Sequence, residues 1–281
     1  MKKQFSTIVL VLVFLTGLSL LLYPTVSDYW NSFHQSRAIA SYVEEVANMN
    51  DQDYERFWND AKEYNEKLKT KQNRYILSEE EKLEYSSLLD ISGTGVMGYV
   101  EIPEIKCSLP IYHGIDDGVL QIAIGHLPGT SLPTGGEGTH CVLSGHRGLP
   151  RAKLFSDLDQ LVEGDVFILR ILDEVLTYEV DQIRIVEPAE IEELDIIEGK
   201  DYCTLVTCTP YGVNSHRLLV RGHRIENMED ENSVRVTADA MQIEPILVAP
   251  AVAVPLLMLL LIIVFANDNR KKQKGGKPHE K

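Results

Sequence analysis

Cysteine is scarce in this chain, four among 281 residues, and the scarcity excludes two architectures. A disulfide scaffold needs a far higher density. Cys107, Cys141, Cys203 and Cys208 also contain no C-x-x-C pair, so a structural zinc site has no support. Basic residues are short as well, 27 Lys and Arg against 42 Asp and Glu for a formal net charge of −15. Nucleic acid, whose phosphates need a basic surface, is excluded as a partner. Lys2, Lys3, Arg270, Lys271, Lys272, Lys274, Lys277 and Lys281 lie in the two tails, so the middle is more acidic still and would repel an anionic lipid surface. Internal repeats are missing, and so are helical patterns alternating with the strand-like runs of the second half, which disfavours a parallel α/β sheet.

Two uncharged apolar stretches stand near the ends. Phe5 to Tyr23 would span about 28 Å as a helix, against about 30 Å of hydrocarbon. The bulky "LLYPTVSDYW" that follows offers no small-residue cleavage site, which favours an uncleaved anchor over a signal peptide. Ile246 to Ala266 is followed at once by "NDNRKKQKGGKPHEK". Basic flanks stay in the cytoplasm, so both termini are expected there and the middle outside.

The expected organisation is a cytoplasmic tip and anchor over 1–27, a helical region over 28–68, a linker or lid-like segment over 69–97, a barrel domain over 98–228, a linker over 229–245, a second transmembrane helix over 246–266 and a basic tail over 267–281. In 28–68, apolar residues at helical spacing (Ile39, Tyr42, Val43, Val46, then Tyr54, Phe57, Trp58, Ala61, Tyr64, Leu68) predict two amphipathic helices broken near "ANMNDQD". From Gly98 onward, short Val/Ile/Leu/Tyr runs are separated by Gly and Pro and read as strands. Alternation in "LTYEVDQIRIVEP" is partial, as in a curved strand that changes sides at a bulge. A closed or nearly closed, mainly antiparallel β-barrel is the predicted fold.

Four readings of Cys208 compete: disulfide half, metal ligand, buried hydrophobe or nucleophile. It ends the apolar run Thr204-Leu205-Val206-Thr207 and precedes Thr209-Pro210, so it belongs at a strand end, a rigid platform suited to a nucleophile. Free cysteine is also among the most buried residues, and burial stays open. A thiol is mostly protonated near neutral pH and needs a cation or base beside it. Arg217 lies nine residues on, and a hairpin through Pro210 to Ser215 would return it to Cys208, where a guanidinium can hold an oxyanion. Arg221 competes for that role. His146, in "THCVLSGHRGLP", follows a strand in a Gly-flanked turn, and catalytic partners of a cysteine meet in space rather than in sequence.

Together, "TLVTC", "RLLVRG" and "LSGHRGLP", with "GYVEIPEI", "LPIYHG" and "GDVFILRI", resemble the sortases, and over about 98–225 the class C, pilus-assembling branch. The resemblance implies an eight-stranded β-barrel with Cys208 as nucleophile, His146 as general acid and Arg217 as oxyanion donor. It places Thr207, Thr209, Pro210 and Tyr211 at the substrate. The implied reaction cleaves an LPXTG-like sorting signal between Thr and Gly through a thioacyl intermediate, then joins pilins through a lysine amine, at the membrane of a Gram-positive-type bacterium. No cofactor or metal is called for; clustered Glu190, Glu192, Glu193 and Asp195 read as a solvated loop, with calcium the alternative. The Asp-Pro-aromatic lid motif of the class is missing from 69–90, leaving Tyr75 and Ile76 as plug candidates. The competing functions are attachment of single proteins to cell-wall peptide, and a non-catalytic anchored barrel.

Overall fold

The computed structural model describes residues 2–150 and 152–227. The expected linker over 229–245, the second span over 246–266 and the basic tail lie outside the described residues. Two compact units divide the chain at Thr25/Val26. The described part of the first is the beginning of α1 (Lys2–Ala47), which continues through Pro24 as one helix. The helix also runs across the expected boundary between the anchor over 1–27 and the helical region over 28–68. Helices that start in an apolar span tolerate proline because neighbouring groups re-satisfy the freed carbonyl. Among the described residues α1 is the one helix long and apolar enough to cross a bilayer.

In the second unit the rest of α1 and α2 (Asp51–Thr70) lay their apolar stripes on the barrel. Asn50 caps α2 by accepting from Asp53 N at 2.9 Å, which satisfies one of the orphan donors of the first turn. Ala61, Tyr64 and Leu68 are buried. Tyr42 of α1 is buried as well; its hydroxyl donates to Met97 O at 3.1 Å and accepts from Leu172 N at 2.7 Å. The segment expected to be linker carries α3 (Glu79–Ser87), started by a Ser78/Glu81 capping box, a device legible in "SEEE". Tyr85 of that helix and the following Leu88 and Leu89 are core residues. The part of the segment around Tyr85, Leu88 and Leu89 is therefore packed on the barrel, while Ile76 and Leu83 stay exposed.

The barrel is closed in the order β1-β2-β3-β4-β7-β8-β6-β5, with β1 (Val96–Ile102), β2 (Cys107–His113), β3 (Ile124–His126), β4 (Thr139–Ser144), β5 (Val166–Ile171), β6 (Glu174–Val186), β7 (Asp201–Thr209) and β8 (His216–Arg224), and a one-turn helix α4 (Asp117–Leu120) before β3. Eight strands leave an interior that side chains fill. Two neighbouring pairs, β2–β3 and β4–β7, run parallel and the others antiparallel. The three-residue β3 is too short to show a period and was not legible in the sequence. The expected bulge is present: pairing of β6 with β8 skips from Val180 to Gln182. Before it Leu176, Tyr178 and Val180 face the core; after it Ile183 packs against the core while Val186 joins an outer cluster with Val142, Leu194 and Leu219. That outer cluster is roofed by the loop between β6 and β7.

Candidate active site

β7 and β8 form a hairpin in which Cys208 and Arg217 are directly opposed, so the nine-residue spacing closes as the hairpin reading requires. Cys203 and Leu205 of β7, and Leu218 and Val220 of β8, belong to the barrel core. Side chains alternate along a strand, so Cys208 and Arg217 stand on the outer face, about 4.5–5.5 Å apart at Cβ as directly opposed residues are. Both are half-exposed. Arg217 Nη1 donates to the carbonyls of Asn214 (3.3 Å) and His216 (3.1 Å). These contacts orient the guanidinium at the mouth of the hairpin with Nε and Nη2 available to a substrate oxygen.

His146 reaches the same level from β4. The parallel β4–β7 ladder ends at Ser144 and Val206, and Gly145 N extends it by donating to Val206 O at 3.0 Å. Two residues beyond Ser144 lies His146; two beyond Val206 lies Cys208. Thr207 ties the ends together, its hydroxyl donating to Gly145 O at 2.8 Å. The turn after His146 is clasped to the β7–β8 loop. Gly148 has a φ of +73°, and a Cβ there would stand 2.8 Å from Cε2 of Tyr211, so only glycine permits both the backbone and the contact. Arg147 lies over the same tyrosine ring, 5.8 Å from its centroid, and pairs with Asp159.

The flanking residues divide. Tyr211 is 64% exposed and Pro210 is exposed, open to a ligand. Thr207 and Thr209 are buried: both take the inward phase of β7, and Thr207 spends its hydroxyl on Gly145. Of the four residues expected at the substrate, the structure thus places Pro210 and Tyr211 on the surface and Thr207 and Thr209 inside. Arg221 does not compete with Arg217. It makes a two-point ion pair with Asp181 (2.9 and 3.0 Å) and stacks on Tyr202 at 4.2 Å, opposite Thr204 and four residues from Cys208.

Of the plug candidates, Ile76 is 75% exposed and covers nothing. Tyr75 is half-buried and held by Arg74, whose Nη2 donates to its hydroxyl at 3.0 Å and also to Leu194 O (3.1 Å) and Asp195 (2.8 Å). The segment presses on Gly129, where a Cβ would lie 2.5 Å from Arg74 O. It thus straps the β6–β7 loop. In the acidic cluster Glu193 accepts from Gln182 and pairs with Arg184 at 3.2 Å, while Asp195 serves Arg74. Those two carboxylates are engaged by the protein itself. No group of three or more His, Cys, Asp or Glu side chains among the described residues could hold a metal ion.

Comparison with known proteins identifies the family of the barrel. The Sortase domain family model matches residues 100–225. Sortase A of Streptococcus agalactiae serotype III (strain NEM316) is 30% identical over 151 residues, 51% of this chain and 61% of that protein. The crystal structure of sortase C1 from Streptococcus agalactiae superposes with a TM-score of 0.67 at 55% identity, covering 68% of this chain and 100% of that one. The X-ray structure of Clostridium perfringens sortase C with the C-terminal cell wall sorting motif gives a TM-score of 0.61 at 44% identity, covering 68% and 100%.

Proposed function

Since this chain belongs to the sortase family and its solved neighbours are class C sortases, we propose that it is a membrane-anchored cysteine transpeptidase acting through Cys208, His146 and Arg217. The observation that carries the reading is the direct opposition of Cys208 and Arg217 on the outer face of β7–β8, with His146 delivered to the same level by β4. A nucleophile and an oxyanion donor on paired strands, with a proton donor on the loop that leaves the neighbouring strand, are what acyl transfer requires.

In the first half-reaction the Cys208 thiolate attacks the Thr carbonyl of an LPXTG-like signal. The oxyanion that forms is held by Arg217, whose charged N–H groups strengthen as the charge develops. Collapse breaks the Thr–Gly C–N bond, and His146 gives its proton to the departing amine. In the second half a lysine amine of the next pilin attacks the thioester, loses its proton to His146, and expels the thiolate, leaving an isopeptide bond. α1 anchors the enzyme, and the barrel works outside the cell. Tyr211, beside the cysteine on an exposed loop, is the substrate contact this reading keeps; Thr207 becomes the tether that holds His146 level with Cys208.

The test is intact mass spectrometry of the full chain incubated with candidate sorting peptides. A thioacyl adduct mapped to Cys208 is expected. Its absence with every peptide that a related class C enzyme accepts would overturn the reading. Addition of pilin then separates the amines, since a lysine-linked protein ladder supports polymerisation and a peptide-linked monomer contradicts it.

A further inference from the structure

The transpeptidation uses one thiol, yet the barrel holds a pair that it does not use. Cys141 on β4 and Cys203 on β7 are register partners in the parallel ladder. Both point into the core, at 2% and 0% exposure, and both are free thiols. Neighbouring strands lie about 4.8 Å apart, inside the ~4.4–6.8 Å that disulfides span between Cα atoms. Burial pushes both thiols up, while the neighbouring Cys203 and His126 turn Cys141 down.

The placement gives this pair a role. Cys141 lies five residues before His146 and Cys203 five residues before Cys208, so the two thiols join the very strands that deliver the acid and the nucleophile, about 16 Å below them at ~3.3 Å per residue. We infer that Cys141 and Cys203 are a modification site, a dithiol that closes by thiol–disulfide exchange into a staple between β4 and β7. The oxidant is a disulfide, carried by a thiol oxidoreductase or by a small molecule, met while the strands are still apart. One of the two thiolates attacks a sulfur of that disulfide, forming a mixed disulfide and releasing the first thiol. The other cysteine then attacks the protein sulfur of the mixed disulfide and releases the second. Two protons and two electrons pass from the cysteines to the disulfide, which leaves as two thiols. The adjacent Cys208 is excluded from the pairing because it occupies the opposite face of β7, and Cys107 because it lies on β2 with its Sγ against Leu154 O.

The inference does not depend on the amine acceptor or on catalysis, and its test reads thiols alone. The full chain is refolded in detergent with oxidised glutathione, in parallel with a dithiothreitol control, then denatured, alkylated and peptide-mapped. The oxidised sample is expected to lose alkylation at Cys141 and Cys203, to yield one linked peptide joining them, and to weigh about 2 Da less until reduced. Alkylation of all four cysteines in the oxidised sample would overturn the inference, and so would linkage of either residue to Cys107 or Cys208. A Cys203→Ala chain tests the exchange step: a mixed disulfide with glutathione should be trapped on Cys141, and a Cys141 that stays fully alkylatable would sink the exchange mechanism.

Discussion

The barrel carries the same three residue types at two levels of β4, β7 and β8, the upper histidine on the loop just past the end of β4. Lower down stand His140, Cys203 and Arg221; at the open end stand His146, Cys208 and Arg217. The lower set is fully engaged. His140 Nδ1 donates to Asp195 O at 2.9 Å and its Nε2 accepts from the Thr204 hydroxyl at 2.8 Å, Cys203 meets Cys141 in the core, and Arg221 is held by Asp181. The upper set makes few contacts, and all three of its residues are half-exposed. Residue type alone therefore does not make a site; what differs is whether the surroundings have already satisfied the group.

Four experiments would break or sharpen that contrast. The largest effect is expected on β7: Cys208→Ala should abolish the thioacyl adduct and lower turnover by more than ~10³-fold, whereas Cys203→Ala, removing a sulfur from the core, should leave the adduct intact and reduce only stability. Equal loss of adduct in the two variants, measured by mass spectrometry, would erase the distinction. Next, Arg217→Ala should cost about 10²–10³-fold in kcat, the usual consequence of losing an oxyanion donor. Arg221→Ala should act on the melting temperature instead, since Asp181 then loses its partner.

The third concerns the histidines. Burial, the largest cause, drives the His140 pKa down from 6.5 to about 4, against the hydrogen bond to Asp195 O that raises it. Above about pH 6.5 both folded and unfolded chains keep this ring neutral and the full stability is present. As pH falls from there through about 4 the unfolded chain binds a proton that the folded one resists, and about 3 kcal/mol is lost. Denaturant titrations across that window should show the slope, and His140→Asn should flatten it. The smallest effect belongs to the tether. Thr207→Val leaves Gly145 O without its hydroxyl donor and should cost about 1 kcal/mol, read as a fall in melting temperature, while Thr207→Ser keeps the bond and the stability.

Much of this arrangement was legible. The hairpin spacing of Cys208 and Arg217 follows from strand geometry, the amphipathic stripes of α1 and α2 from helical period, and the side-switch in β6 from broken alternation. What escaped notice depends on residues distant in the chain. Arg221 is disqualified by Asp181, forty residues upstream, and nothing local to "RLLVRG" says so. Tyr85 is core because His126 and Gly114 meet its hydroxyl, though its neighbours are charged. Thr207 is a different case: β-alternation already turns it inward, where its hydroxyl meets Gly145 O.

One further consequence attaches to the bulge in β6. Asp181 is the residue that the pairing with β8 passes over, so it is at once the extra residue and the anion that immobilises Arg221. Deleting it would do two things together: it would release a second guanidinium onto the outer face, and it would make Val180–Gly222 and Gln182–Arg221 consecutive pairs, so that β6 keeps its two faces but loses the local bend and extra twist that a bulge imposes. A single inserted residue thus ties the curvature of the barrel wall to the ion pair that holds Arg221.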